Sequence, residues 1–371
     1  MITFFIISAV CAAIFWPAGT FLLWQIPFCK KRGTTGELPT CSVIIPARNE
    51  ESNIVNLLRS LNNQTTLPGE VLVVNDQSTD NTAIVAEENG ATVISITDKP
   101  AGWTGKTWAC WQGAQAAQYD PMVFVDADTQ FNRAGLENMI QCYAEHDGMV
   151  TVQPYHTMKK AYEKLSAFFN IMIMAGMGAF TLLGKRLKPS GSFGPCMICS
   201  KKDYFETGGH KAARSTVLEN LSLGKIFIDA GKSINCFGGK HSISFQMYPF
   251  GMGDLVEGWT KGFATGASNT RPLFLVMTIL WITGCFITFS GLCLSPFLDG
   301  TAMSLTAVYA LLYILYVMQV FWMLFRIGNF GFISALLFPV HAFFFVYIFI
   351  KSYISIFIIK KVRWRGRSVE V

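Results

Sequence analysis

The sequence is poor in charged residues, which make up 15% of its 371 positions, against about a quarter in ordinary soluble domains. Residues 1–29 contain no Asp, Glu, Lys or Arg, and residues 272–359 contain only Asp299, Arg326 and Lys351. The mean hydropathy is +0.36. This composition argues against a disordered chain and against a purely soluble protein.

Further absences narrow the class of function. Cys196 and Cys199 form a CxxC pair, but no second pair is placed to complete a zinc site, so buried thiols are expected. The segment before Lys106 lacks the first glycine of a GxxxxGK[ST] phosphate loop. The net charge of +6 comes from cations beside the apolar ends, which is not the basic surface of a nucleic-acid-binding protein.

Apolar stretches long enough to cross a membrane are present at both ends of the chain, at residues 2–28, 272–297, 302–325 and 330–359. Residues 1–29 are predicted to be an uncleaved anchor, because the basic start of a signal peptide is missing. Cations follow the first and last stretches, and this bias favours a multi-pass membrane protein with both flanks in the cytoplasm.

The last apolar stretch leaves the topology open. A fourth simple crossing would place the basic tail, residues 360–371, outside the cell, against the positive-inside tendency. Either the C-terminal stretch bends into a hairpin near Pro339, or another segment crosses. The apolar segment at about 161–183 is the candidate, although we predict that it is a helix in the membrane interface.

Strands and helices alternate in the region 40–269. Buried strands are predicted at Cys41–Pro46, Glu70–Asn75, Ala91–Ile96 and Met122–Val125, with helices between them. This spacing predicts an α/β fold with a mostly parallel sheet, flanked by transmembrane regions at 1–29 and 272–359. In such sheets ligands bind beyond the carboxyl ends of the strands.

Polar side chains follow the predicted strands. Asp126 and Asp128 come directly after a strand and are two positions apart, so their carboxylates point the same way. They favour a site for Mg²⁺ or Mn²⁺, the alternative being a solvated turn. Asp76 at the end of another strand is a candidate to bind a nucleobase, Asp80 is predicted to cap a helix, and Lys106 is a candidate to contact phosphate.

Together these residues resemble the family 2 glycosyltransferases of the GT-A fold, an inverting class that uses nucleotide-sugar donors. The matching segments occur in the family's order, at Ile45–Glu50, Val74–Asp80, Gly105–Lys106, Phe124–Asp128 and Thr207–His210. The resemblance implies that Asp126 and Asp128 hold the metal. It also implies a UDP-sugar site formed by Pro46, Arg48, Glu50, Asp76, Lys106 and Asp126.

A closer resemblance extends over nearly the whole chain, through Val152–His156, Phe193–Pro195, Gly208–Lys211 and Glu257–Lys261. These segments are similar to the glycosyltransferases of staphyloxanthin-type carotenoid synthesis. This implies a membrane-bound enzyme that transfers glucose from UDP-glucose to the carboxylate of a C30 carotenoid acid, 4,4'-diaponeurosporenoate.

The sequence departs from the wider family at the catalytic base. Where that family has a catalytic Asp, this chain has Asn220, next to Glu219. An acceptor carboxylate is already ionised at pH 7 and needs no base, so the departure is consistent with a carboxylate or a phosphate acceptor. Glu219 acting as the base is an equally supported alternative.

The acceptor side is the least defined. Gly258 stands where processive polysaccharide synthases have Arg, which favours transfer of a single sugar. Trp259 is a candidate to stack on the acceptor, and His210 and Lys261 are candidates to pair with its carboxylate, although packing roles are at least as well supported for each. Transfer to a polyprenyl phosphate or another lipid is the alternative reaction. A transporter or scaffold with a degenerate domain is the non-enzyme alternative, disfavoured by the intact Asp126 and Asp128.

Overall fold

The computed structural model describes residues 1–30, 38–216, 219–268, 270–298, 302–359, 361–364 and 367–370. Five charged residues in or beside the apolar stretches lie outside these ranges: Lys31, Arg32, Asp299, Lys360 and Arg365. The chain divides into two compact units. The helical unit contains Met1–Ile26, Met158–Leu187 and Tyr248–Val371, and the sheet unit contains Pro27–Thr157 and Lys188–Met247.

The strands of the described chain follow one another in this order: β1 (Ser42–Ala47), β2 (Glu70–Asn75), β3 (Thr92–Ser95), β4 (Met122–Val125), β5 (Thr129–Phe131), β6 (Met149–Gln153), β7 (Tyr155–His156), β8 (Cys196–Cys199), β9 (Ile234–Gly238), β10 (Ile243–Phe245), β11 (Lys361–Trp364) and β12 (Arg367–Glu370). The last two pair as an antiparallel hairpin in the basic tail.

The α-helices are α1 (Ile2–Leu22), α2 (Glu51–Asn62), α3 (Thr82–Glu88), α4 (Gly105–Ala116), α5 (Gly135–Ala144), α6 (Ala167–Gly176), α7 (Lys201–Glu206), α8 (Gly209–Ala212), α9 (Glu219–Asp229), α10 (Met252–Ser268), α11 (Pro272–Leu294), α12 (Ala302–Ile327), α13 (Phe332–Leu336) and α14 (Phe338–Tyr353). Short 3-10 turns at Ala161–Ser166, Gly184–Arg186 and Ser295–Phe297, and a π-helical end at Ile354–Ile359, complete the helical segments.

The main sheet confirms the predicted α/β fold. Its strands lie in the order β3-β2-β1-β4-β8-β6-β9, and β8 alone among them runs antiparallel to its neighbours. The residues of the central strands β1, β4, β8 and β6 are mostly apolar and almost fully buried, because helices cover both faces of such a sheet. Val43, Ile45, Val123, Val125 and Ile198 belong to one continuous core.

The polar loop after β2 is longer than predicted. The sequence suggests a helix from Thr79, but α3 begins at Thr82. The amide of Thr79 instead donates to Asn49 Oδ1 at 2.8 Å, and Asn81 donates to Glu51. These hydrogen bonds to the loop after β1 compete with helix formation, as short polar side chains commonly do.

Four helical segments in the described ranges are long and apolar enough to cross a membrane, at Ile2–Leu22, Pro272–Phe297, Met303–Ile327 and Phe338–Ile359. In the helical unit α11 packs against α12 through close contacts at glycines. A Cβ at Gly284 would collide with Tyr316, and one at Gly291 would collide with Tyr309. Small residues at such positions let apolar helices approach closely.

The segment at about 161–183, predicted to be an interfacial helix, is helical over only part of its length. The segment forms a 3-10 turn followed by the ten-residue helix α6. Phe168 and Phe169 are fully buried and stack on Trp281 and Trp259. These contacts pack α6 against α10 and α11 of the helical unit, and its position in a membrane interface stays a prediction.

Candidate active site

The loops that follow β1 and β2 are tied together by hydrogen bonds. The amide of Asn49 donates to Ser78 Oγ at 3.0 Å, and the amide of Glu50 donates to Thr82 Oγ1 at 2.9 Å. Asn49 has a positive φ of 53°, a conformation that Asn tolerates better than most residues. These hydrogen bonds fix the position of Arg48 and Glu50 beyond the carboxyl end of β1.

Arg48 and Asp76 meet at the ends of the neighbouring strands β1 and β2. A guanidinium nitrogen of Arg48 lies 3.4 Å from Asp76 Oδ2, and Asp76 is buried. A Cβ at Gly105 would collide with the same carboxylate, so only glycine lets α4 begin this close to it. Pro46 lies in β1 opposite Val74 of β2, just before this pair.

Lys106 connects carboxylates from two further elements. Its Nζ lies 2.6 Å from Asp126 Oδ1 and 3.7 Å from Glu219 Oε1. Surrounding protein atoms oppose the charged ammonium, but the two carboxylates outweigh them and raise the pKa of Lys106 above its ordinary value. The lysine therefore stays protonated and holds the ends of β4, α4 and α9 together electrostatically.

Asp128 lies in an environment with an excess of negative charge. Burial, followed by the charges of Asp126 and Glu50, raises its pKa from 3.8 to about 7, although Lys106 acts in the opposite direction. Such an arrangement of carboxylates favours binding of a cation. The described residues contain no cluster of three or more His, Cys, Asp or Glu side chains able to hold a metal by themselves.

Glu219 begins α9 beside Asn220. The Asn220 amide donates to Glu219 Oε1 at 3.3 Å, and the Asn220 carbonyl accepts from Ser192 Oγ at 2.6 Å. A Cβ at Gly194 would collide with the Asn220 amide, so the Phe193–Pro195 segment packs directly against this residue. The structure therefore places Glu219 in the cluster with Lys106, and Asn220 supports it.

The His210 side chain is neither exposed nor positively charged. Its side chain is fully buried, and Nδ1 lies 2.8 Å from the Tyr204 hydroxyl. Burial, with a smaller effect of Lys106, lowers the pKa of His210 from 6.5 to about 3. A neutral ring packed on Phe124 supports a structural role, in place of the predicted ion pair with an acceptor carboxylate.

We therefore expect His210→Ala to destabilise the sheet unit without affecting acceptor binding. The substitution leaves a cavity and removes the hydrogen bond to Tyr204, which together cost about 3 kcal/mol. Thermal unfolding in detergent should show a lower melting temperature, and the KM for the acceptor should stay unchanged. An unchanged melting temperature with a raised acceptor KM would restore the contact predicted from the sequence.

Trp259 and Lys261 belong to α10 in the helical unit. The Trp259 ring is buried, lies 4.5 Å from the ring of Phe169 in a stacked arrangement, and donates through Nε1 to Ser166 Oγ at 3.1 Å. These contacts make Trp259 a packing residue. A contribution of Lys261 to acceptor binding stays a prediction.

Two groups of supporting residues were missed or assigned only local roles in the sequence analysis. Asn49 and Asp80 join the first two loops, with Asp80 accepting from the Glu51 amide at 3.2 Å. The carbonyl of Arg214 accepts from the Thr104 amide at 3.1 Å, just before α4. The polar residues clustered after β1 and β2 are a sequence signal for the contact between the first two loops. Nothing local in the sequence indicates the hydrogen bond between Arg214 and Thr104.

Comparison with known proteins decides the family. The family described as Glycosyl transferase family 2 matches residues 42–207, which contain most of the clustered side chains. The 4,4'-diaponeurosporenoate glycosyltransferase of Staphylococcus haemolyticus is 40% identical over 358 residues, 94% of this chain and 93% of that protein. The chain belongs to the family 2 glycosyltransferases.

Other similarities of this glycosyltransferase extend beyond the family domain. The 4,4'-diaponeurosporenoate glycosyltransferase of Staphylococcus aureus (strain USA300) is 38% identical, over 89% of this chain and 88% of that protein. Both similarities cover far more of the chain than residues 42–207. Among solved structures, a mannosyltransferase from Pyrobaculum calidifontis is 16% identical with a TM-score of 0.48, covering 90% of this chain and 94% of that one, a likeness too weak to support a conclusion.

Proposed function

We propose that this family 2 glycosyltransferase transfers glucose from UDP-glucose to the carboxylate of 4,4'-diaponeurosporenoate, with inversion at the anomeric carbon, at the cytoplasmic face of a membrane. The observation that carries the proposal is the 40% identity, over almost the full length, to a protein named for that acceptor. The cluster of Lys106, Asp126 and Glu219 supports it, since these residues supply the charges that the reaction needs.

The donor site is assigned to the residues at the carboxyl ends of β1, β2 and β4. Asp76, paired with Arg48, accepts hydrogen bonds from the uracil base, and Asp126 lies on the side of the ribose and diphosphate. Lys106 contacts the diphosphate, where its charge stabilises the leaving group. Pro46 and Glu50 line the same donor site.

A divalent metal fits the carboxylates that are present. The charges around Asp128 raise its pKa to about 7, so bringing a cation between Asp126 and Asp128 would relieve the repulsion. Mg²⁺ and Mn²⁺ are commonly held by two carboxylates together with substrate phosphates, which agrees with the absence of a larger ligand cluster among the described residues. The metal, when bound, supplies positive charge to the diphosphate leaving group.

The acceptor chemistry explains the missing aspartate. A carboxylate oxygen of the acceptor attacks the anomeric carbon, and the bond from that carbon to the diphosphate oxygen breaks, releasing UDP. The attacking oxygen carries no proton at pH 7, so no base is required. Glu219, held near Lys106 and Asn220, orients the lysine, and Lys106 keeps the local charge balanced.

The proposal is tested by incubating the purified full-length enzyme with UDP-glucose, Mg²⁺ or Mn²⁺ and a C30 carotenoid acid. Mass spectrometry should detect a hexose ester that is cleaved by mild alkali. A parallel incubation with a polyprenyl phosphate tests the alternative acceptor. A hexosyl polyprenyl phosphate without any carotenoid ester would overturn the assignment, as would transfer only from a donor other than UDP-glucose.

Glu219→Gln separates an orienting role from a catalytic base. If the acceptor is already ionised, the rate of ester formation should fall by less than about 10-fold, whereas loss of a general base costs about 100- to 10,000-fold. The measurement is kcat at saturating donor and acceptor.

Asn220→Asp is the matched control, since it restores the carboxylate found in the wider family. It should not raise kcat with a carboxylate acceptor. A fall of several orders of magnitude in Glu219→Gln would show that Glu219 is the base.

A further inference from the structure

The packing of α1 and α12 defines the two ends of the helical bundle. The Phe5 carbonyl accepts from the Tyr309 hydroxyl at 2.8 Å, and the Ala12 carbonyl accepts from Tyr316 at 2.9 Å. Arg326 donates to the Leu23 carbonyl at 2.6 Å. The two helices are therefore parallel. We call the end containing Leu23 and Arg326 the near end.

The last apolar stretch, residues 330–359, starts at the near end and reaches only the middle of the bundle. Asn329 accepts from the Met158 amide just after α12 ends, and Phe332 packs on Phe321, with ring centres 5.5 Å apart. The stretch then bends at Leu337, between α13 and α14. At the bend, the Phe338 ring lies 5.0 Å from Tyr313, which is close to the midpoint of α12.

From this bend the chain returns toward the near end. The Phe345 ring lies 5.1 Å from Phe169, whose neighbour Phe168 stacks on Trp281. Trp281 donates to Gln319 at 2.7 Å, and Gln319 lies nearer the Arg326 end of α12 than Tyr313 does. Between Phe338 and Phe345 the contacts have therefore moved from the level of Tyr313 to that of Gln319, back toward the Arg326 end of α12.

The end of α14 is fixed beside α10. Ser352 Oγ donates to the Thr260 carbonyl at 2.8 Å, and the Phe263 ring contacts Phe345 with centres 5.3 Å apart. Helix α10 leads directly into α11 at Pro272. Since α11 runs antiparallel to α1, with Trp281 close to Gly19, its start also lies at the near end.

The exposed backbone at such a bend would be costly in lipid, because an unpaired carbonyl finds no water there. Here the Leu336 carbonyl accepts a hydrogen bond from the Tyr313 hydroxyl at 2.5 Å. Ser334 Oγ donates to the Phe330 carbonyl at 2.8 Å. The interruption of the helix is thus satisfied by protein groups, as irregular backbone at membrane depth requires.

We propose that residues 330–359 form a re-entrant hairpin, which enters and leaves the bilayer at the near end. The charge pattern, which is independent of these contacts, agrees. Lys30–Arg32 follow α1, Arg326 ends α12, and the cations of residues 360–367 follow the hairpin. A hairpin puts all three groups on one face, as the positive-inside tendency favours.

The topology is tested on the full-length protein in sealed inside-out membrane vesicles, in which added protease reaches only the cytoplasmic face. Three proteins carry one protease-cleavable epitope each, after Thr34, between Asp299 and Gly300, or after Val371. The epitopes after Thr34 and Val371 should be cleaved together in the same vesicles, while the one at Asp299 is protected. Cleavage of the C-terminal epitope together with that at Asp299 would overturn the hairpin. This readout does not depend on the sugar or the acceptor.

Discussion

Asp128→Asn is expected to lower glucose transfer at least about 1,000-fold, the size of effect seen when a main stabiliser of leaving-group charge is lost. The carboxylate lies beside Asp126 and Glu50, whose charges help to raise its pKa to about 7. An amide has nearly the same shape but no charge, so the fold should be kept while the site loses affinity for the cation. The rate is measured at saturating Mn²⁺ and UDP-glucose.

The matched control for this substitution is Asp147→Asn. Asp147 is an exposed carboxylate just before β6, at the opposite edge of the sheet from the cluster, and its loss should leave transfer unchanged. Mn²⁺ binding, followed by electron paramagnetic resonance, should weaken in Asp128→Asn and not in the control. Retained turnover in Asp128→Asn would remove the residue from the metal site.

The placement of the candidate donor residues at the strand ends could be predicted from the sequence, because it depends on a regular feature of α/β sheets. Asp76 and Asp126 follow buried strands, and the carboxyl ends of parallel strands meet at one edge. Lys106 and Glu219 were also predicted as site residues, and the structure brings them within 3.7 Å of each other. That contact depends on how α4 and α9 pack, which no local pattern reveals.

The surroundings of the candidate acceptor residues are harder to predict from the sequence, for a physical reason. His210 and Trp259 are amphipathic side chains, which serve equally well in a core or in a binding site. Their surroundings are set by partners distant in sequence, such as Phe124 for His210 and Phe169 for Trp259. A bend near Pro339 was only one of two alternatives in the sequence, since the mostly apolar residues 330–359 also suit a simple span.

The electrostatic balance of the carboxylate cluster depends on the positive charge of Lys106. Lys106 lies 2.6 Å from Asp126 and 3.7 Å from Glu219, and its charge also lowers the pKa of Asp128. Without it, Asp128 would lose its proton only at a higher pH. The pH at which Mn²⁺ binding is half-maximal should therefore rise, because only the ionised carboxylate binds the metal.

Lys106→Met should accordingly lower kcat/KM for UDP-glucose by about 100- to 1,000-fold, since the methionine side chain fills similar space but gives the diphosphate no charge. Lys211→Met is the control, because Lys211 is an exposed lysine of α8 in the same unit. The Lys211→Met protein should transfer sugar at the rate of the unmodified enzyme. The two proteins are compared by steady-state kinetics and by Mn²⁺ titration at several pH values. A large kinetic loss without any shift in the pH of Mn²⁺ binding would mean that Lys106 acts on the donor alone and does not set the charge of Asp128.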